Sequence, residues 1–208
     1  MPVILSLVVV ILSVILHEVA HGYVADWLGD PTARYSGRLT LNPLPHIDPL
    51  GSVVIPGILV LSGSPFLIGW AKPVPYNSFN LKNQRWGEAL VAAAGPLTNI
   101  LIAVVFASLI RFGIFGFSQT LLYVAVTAIY TNLVLALFNL IPLPPLDGSK
   151  ILKSLFPMRG RMAFGDFERS MYALGPFGLM FVGLIAIYLL WPLIAGIVQW
   201  AFALLTGL

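Results

Sequence analysis

His17, Glu18 and His21 form a His-Glu-x-x-His arrangement within Leu16-His17-Glu18-Val19-Ala20-His21-Gly22. On a helix, positions i and i+4 lie one turn apart on the same face. His17 and His21 can therefore turn both imidazoles toward one zinc ion. Glu18 stands between them, where a carboxylate can hold or deprotonate an attacking water. The chain has only 3 His, so two of them at this spacing around a glutamate are a specific signal. The preceding run sharpens it. Residues 3–16, VILSLVVVILSVIL, carry no charge. Two imidazoles and a carboxylate directly after such a run are costly in lipid, and ionisable groups there mark function. The plainer alternative is three polar side chains at a membrane interface, hydrogen-bonded to other helices.

Two histidines do not complete a catalytic zinc site, which usually has three protein ligands and a position for water. The continuation with a further glycine and histidine seen in one class of soluble zinc proteases fails, because Val24 and Trp27 occupy those positions. The candidate carboxylates are Asp26, Asp30, Asp48, Glu88, Asp147, Asp166 and Glu168. Asp147 stands out. It follows Asn139-Leu140-Ile141-Pro142-Leu143-Pro144-Pro145-Leu146, where prolines unwind a helix end, and irregular backbone at membrane depth lines a site. Gly148 beside it permits a close turn. The ordinary alternative is a helix stop with a turn aspartate. His46 lies in a proline-rich loop with Asp48; it reads as a surface residue, as an extra zinc ligand, or as a partner of one.

The elements that must position these groups belong to a membrane protein. Hydrophobic residues make up 59% and charged residues 9% of the 208, against about half and a quarter in soluble domains. Residues 3–28 read as one helix, without the basic start or small-x-small site of a cleavable leader. Partial period-two alternation around 34–41 predicts a short strand, and prolines at 43, 45 and 49 an extended loop. Residues 50–70 are apolar and long enough to span, but Pro and Gly interrupt them repeatedly. Residues 84–110 and 120–141 read as spanning helices, and 148–157 as an interfacial amphipathic helix. A short basic linker with Arg159 and Arg161 follows, and 174–207 are one long helix or a tight pair. No cysteine is present, which excludes disulfides and thiolate metal sites.

Ten of the 11 Lys and Arg residues flank three loops, 22–48, 70–86 and 142–170, and only Arg111 sits in the 111–119 turn. By the positive-inside rule those three loops are cytoplasmic. They share one side only if 50–70 enters and leaves on one face, as a re-entrant hairpin instead of a crossing. The expected fold is thus an all-α polytopic membrane protein: a helix bundle with a re-entrant segment and a short β element near the active site. It is expected to be a single membrane-embedded domain over 1–208, with a core of about 3–157.

Three motifs occur in order on three helices: His17-Glu18-x-x-His21, Gly95-Pro96-Leu97-Thr98-Asn99, and Asn139-x-x-Pro142-x-Pro144-x-x-Asp147-Gly148. Together, over about residues 5–155, they resemble the signature of the site-2 protease family of intramembrane zinc metalloproteases, in its short form without a PDZ-sized insert. The resemblance implies that His17, His21 and Asp147 bind one Zn2+ and that Glu18 is the general base, then proton donor to the leaving amine. It implies that Asn99 and Asn139 lie near the metal, holding substrate backbone or the oxyanion; interhelical hydrogen bonding is their simpler role. Gly95 reads equally as a helix-packing glycine.

The function that follows is an intramembrane zinc endopeptidase acting on peptide bonds in or next to transmembrane segments of membrane proteins. The alternative is a non-catalytic zinc-binding scaffold or carrier on the same fold. The implied partners are a transmembrane protein substrate and the lipid bilayer, with no nucleic acid. The implied location is the cell (inner) membrane, with the active site nearer the cytoplasmic side. An extended substrate is expected to add to the 35–41 strand, since a helical peptide bond is shielded by its own hydrogen bonds and must unwind.

Overall fold

A computed structural model of the chain describes residues 2–63, 69–116 and 118–207. Its framework is four long apolar helices. Helix α1 (Pro2–Trp27) is uncharged until Glu18 and ends where Gly29 turns the chain at φ 108°. Helix α2 is one turn, Thr32–Tyr35, and α3 is Ile55–Leu61, entered through a wide turn over Pro49–Val54. Helix α4 (Gln84–Arg111) starts under an Asn83 side-chain cap and α5 (Gln119–Asn139) under a Ser118 cap. Each cap accepts a backbone N–H that the first turn cannot pair internally. Helices α6 (Asp147–Leu155) and α7 (Met158–Tyr172) are short, and α8 runs as one helix from Gly175 to Thr206. Helices α1, α4, α5 and α8 are each long and apolar enough to cross a membrane.

Helix α4 packs on α1, α5, α6 and α8 and is the central element. The contacts are made through small residues: Ala25, Ala92, Ala103, Ala107, Ala125, Ala128 and Ala136 are all buried. In lipid, helix association relies on close backbone approach, which small side chains permit. A second layer, with Ile129 and Leu133 of α5 and Ile194 and Val198 of α8, closes around Ala103 and Ala107.

One end of the bundle gathers the loops. Lys82 N–H donates to Leu28 O (3.0 Å), Asn77 N–H to Asp30 Oδ2 (2.6 Å) and Arg85 Nε–H to Ser154 O (2.7 Å). At the other end Arg111 donates to Leu204 O near the C-terminus of α8 (3.3 Å). Ten of the 11 basic residues therefore belong to one end. The excursion through α3 begins and finishes at that same end: Trp70 N–H donates to Gly51 O (3.1 Å), and Lys72 N–H to His46 O (2.9 Å). Of the Pro and Gly residues that interrupt it, Pro65 lies outside the described residues.

Three local expectations are corrected. Residues 35–41 form no strand, and no strand occurs among the described residues. The alternation is not that of two sheet faces: Arg38 is buried at 6% exposure, while Tyr35 (84%) and Leu41 (57%) face outward. Backbone groups of the segment turn to its own neighbourhood. Arg38 N–H donates to Ala33 O (3.0 Å), and Thr40 O accepts from the His46 ring (2.9 Å). The segment therefore offers no strand edge to which an extended substrate could add. The basic stretch with Arg159 and Arg161 is helical, as part of α7. His46 is not at the surface: it is 3% exposed.

Candidate active site

The helical spacing of α1 turns His17 and His21 to one side, their rings 4.7 Å apart and nearly perpendicular. Their Nε2 atoms approach to 3.1 Å, and each lies 3.2 Å from Asp147 Oδ2. All three residues are buried, and they are a group of possible metal ligands found among the described residues. In a tetrahedral zinc site with bonds of about 2.0–2.1 Å, neighbouring donor atoms stand about 3.3–3.4 Å apart. The observed spacings are close to that, and the donor set of two imidazoles and a carboxylate suits zinc.

Each element contributes something the ligands need. His21 Nδ1 donates to Val91 O of α4 (2.6 Å); a carbonyl only accepts, so the hydrogen sits on Nδ1 and Nε2 keeps its lone pair. His17 Nδ1 meets Asn99 Oδ1 (2.6 Å), from the next turns of the same helix. Gly95 lies between these two contacts. A Cβ there would stand 2.5 Å from His17 Cε1 and from His21 Nε2, so α4 approaches the rings only because that residue is glycine. The Gly95-Pro96-x-x-Asn99 motif is thus a seat for both rings.

Asp147 opens α6, where a helix N-terminus favours a negative charge. A Cβ at the next residue, Gly148, would strike the carbonyls of Leu140 and Ile141. Glycine there lets α6 tuck under the end of α5. Burial alone would push the Asp147 carboxyl up, and the charge of nearby Lys150 acts against that; as a metal ligand it would bind as the carboxylate.

Glu18 is half-buried beside this group. Its Oε2 accepts from Val74 N–H (2.8 Å). Val74 belongs to the extended segment Lys72-Pro73-Val74-Pro75-Tyr76 and is flanked by two residues without an N–H. Arg38 holds that segment from below, donating to Lys72 O (2.6 Å) and Pro73 O (3.2 Å). Gly22 makes room: a Cβ there would meet Leu39 Cδ2 at 2.5 Å and Val74 Cγ1 at 2.8 Å. Lys150, three residues past Asp147, has its ammonium 5.1 Å from the Tyr76 ring centre.

The other candidates are elsewhere or otherwise engaged. His46 is not in the metal group; its Nε2 donates to Thr40 O. Asp26 pairs with Arg34, Asp48 caps Gly51 N–H, Asp166 pairs with Arg169 and Glu168 with Lys153. Asp30 is fully buried and accepts from Thr32, Asn77 and Asn80. Asn139 donates to Leu135 O of its own helix (2.9 Å). Asn99 is 0% exposed, with its amide engaged by His17 and Asn132. Sequence reasoning passed over Ser13, Arg38, Val74 and Asn132. A polar Asn132 amid the apolar 120–141 stretch was the one signal available for it. Beside α1, an apolar groove of about 310 Å³ is lined by Leu16, Ala20, Tyr23, Leu39, Leu41 and Thr98, among others.

Comparison with known proteins adds the following. The family model described as Peptidase family M50 matches residues 5–123 and 114–182. The chain is 39% identical over 196 residues to "Putative zinc metalloprotease YwhC" of Bacillus subtilis (strain 168), covering 90% of this chain and 84% of that one. It is 28% identical over 139 residues to "Putative zinc metalloprotease Rip2" of Mycolicibacterium smegmatis, covering 66% of this chain and 52% of the relative. A Methanocaldococcus jannaschii protein, also named a putative zinc metalloprotease, is 44% identical over 63 residues, 30% of this chain and 32% of its own. No solved structure matches the chain.

Proposed function

The chain belongs to peptidase family M50, the site-2 protease family of zinc metalloproteases, and from that premise we propose that it is an intramembrane zinc endopeptidase. Its substrates are membrane proteins, cut in or next to their transmembrane segments. The observation that carries this reading is the convergence of His17 Nε2, His21 Nε2 and Asp147 Oδ2 within 3.2 Å of one another, beside Glu18 and among helices apolar enough to cross a membrane.

In this reading His17, His21 and Asp147 hold the zinc. When bound, zinc supplies a Lewis acid that polarises the scissile carbonyl and makes water nucleophilic near neutral pH. Glu18 takes the proton of the attacking water and returns it to the leaving amine. The Val74 N–H keeps the Glu18 carboxylate oriented for both transfers. Asn139 is the remaining candidate for contact with substrate. The helical wall around the site keeps bulk water from the metal, which strengthens every charge interaction inside. The segment through α3 is a re-entrant hairpin; the bonds joining Gly51 to Trp70 and His46 to Lys72 support this. The basic end of the bundle is cytoplasmic, which puts the site on that side of the cell membrane. The whole of 1–208 acts as one domain.

The test is zinc content and cleavage of labelled casein and of single-span reporter proteins, by wild type and by Glu18→Gln in detergent. Zinc of about one per chain in both, with cleavage lost only in Glu18→Gln, is expected. Equal cleavage by the two proteins would remove Glu18 as the base. Zinc binding with no cleavage by wild type of any reporter would favour a scaffold or carrier.

A further inference from the structure

We propose that Asn132, which lies outside the metal group and outside all three sequence motifs, is a positioning residue that decides which nitrogen of His17 faces the metal. The argument begins at a backbone carbonyl in α5. Ala128 O can only accept, so the Asn132 atom 2.8 Å from it is Nδ2. The same Nδ2 donates to Ser13 Oγ of α1 (2.8 Å). Asn132 therefore presents Oδ1 to Asn99, at 2.7 Å, and Asn99 must offer its Nδ2 there. Asn99 Nδ2 also lies 3.5 Å from Ser13 O, a second group that only accepts. With both amides oriented, Asn99 Oδ1 is what meets His17 Nδ1 at 2.6 Å, and it meets it as an acceptor. His17 Nδ1 carries the hydrogen. A neutral imidazole has one ring N–H, so Nε2 keeps its lone pair. That is the nitrogen facing His21 Nε2 and Asp147 Oδ2.

The relay is closed to solvent. Asn99 and Asn132 are 0% exposed and Ser13 is 4% exposed. A flipped amide in a buried apolar setting would face like against like, with no water to repair the mismatch. His21 gets the same tautomer from one carbonyl directly, Val91 O. His17 gets it from Ala128 O through two side-chain amides. The relay ties together α1, α4 and α5, the helices that carry or lead into the three motifs.

This rests on His17 being a zinc ligand and on nothing about substrate or hydrolysis. The test uses the purified full chain in detergent, with zinc affinity measured by competition against a chromophoric chelator. Asn132→Leu should weaken zinc about tenfold or more, the usual cost of losing a group that orients a metal-bound histidine. Asn99→Leu combined with Asn132→Leu should bind zinc no more weakly than Asn99→Leu alone, because Asn132 acts only through Asn99. Losses that add, or unchanged affinity in well-folded Asn132→Leu, would overturn the proposal.

A second measurement needs no variant. The chain has 3 His, so nitrogen NMR of histidine-labelled wild type at mildly alkaline pH resolves each ring. The expected pattern is hydrogen on Nδ1 of His17 and His21 and on Nε2 of His46. A His17 ring with its hydrogen on Nε2 in zinc-free protein would overturn the relay. If instead His17→Ala leaves zinc affinity unchanged, the metal-site reading fails while the NMR result still judges the relay.

Discussion

Gly95 is the residue on which the two histidines depend most directly. Any side chain there enters the space of both rings, at 2.5 Å for a bare Cβ. Helix α4 is buried along this face and cannot back away without opening its contacts with α1 and α5, so the rings must move. Gly95→Ala should therefore weaken zinc binding on the order of tenfold or more, because ligand placement tolerates little displacement. Chelator competition on the purified variant checks this. Wild-type affinity in Gly95→Ala would mean that the helix, and not the ring pair, yields. Asp147→Ala and His21→Ala each remove a donor atom outright and should reduce zinc below one per chain, measured by elemental analysis. Full zinc in Asp147→Ala would reopen the choice of third ligand.

At the scale of elements, two connections position the site without touching the metal. The segment Lys72–Tyr76 reaches Glu18 through one backbone donor. Val74→Pro deletes that N–H while keeping the extended conformation of a Pro-flanked residue. Cleavage should fall by about tenfold, a part of what a general base contributes, at unchanged zinc content. Cleavage at the wild-type rate would show that Glu18 needs no such hold. The second connection is Asp30, which joins the end of α1 to the 77–80 turn. Burial alone would push its carboxyl up, but the Thr32 hydroxyl, the Asn77 N–H, the Asn80 amide and the Thr32 N–H hold it below the usual range. Its folded value thus lies below the unfolded one of about 3.9. The stability it contributes is complete above that unfolded value and is lost as pH falls through the folded value. Asp30→Asn turns an amide donor toward the Asn77 N–H and should cost about 1–3 kcal/mol at neutral pH. The gap from wild type should shrink in acid. Thermal unfolding at several pH values reads both, and a constant gap would mean that Asp30 is not the titrating group.

The whole molecule has an orientation that can be read from outside the cell. The segments at 31–48, 71–83 and 148–170 carry the basic residues of one end, and Arg111 marks the opposite one. Single cysteines in this cysteine-free chain make the test clean. A cysteine at Ser78 should react with an impermeant thiol reagent only when the cytoplasmic face is exposed, and one at Ile114 should react from outside. External labelling at 78 would mean that the α3 excursion crosses the membrane, and the re-entrant reading would be abandoned.

What the amino-acid sequence determined by itself was local. The His-Glu-x-x-His spacing is an i, i+4 relation that any helix satisfies, and each long helix announces itself by a long, predominantly apolar stretch. Charge placement along the chain divided its loops into two groups with no knowledge of packing. The tertiary structure decided whatever depended on groups distant in sequence. It brought Asp147 to the two histidines, made residues 174–207 one helix for nearly their whole length, and drew the charged Arg38 inward where alternation predicted a strand. His46 became a buried hydrogen-bond donor. Asn132, one polar residue in an apolar helix, acquired its meaning only from Ala128, Asn99 and His17 around it. The physical reason is the same in each case. A helix forms from its own neighbours along the chain, but a buried polar group must find its partner across space, and hydropathy and spacing carry no record of which partner that is.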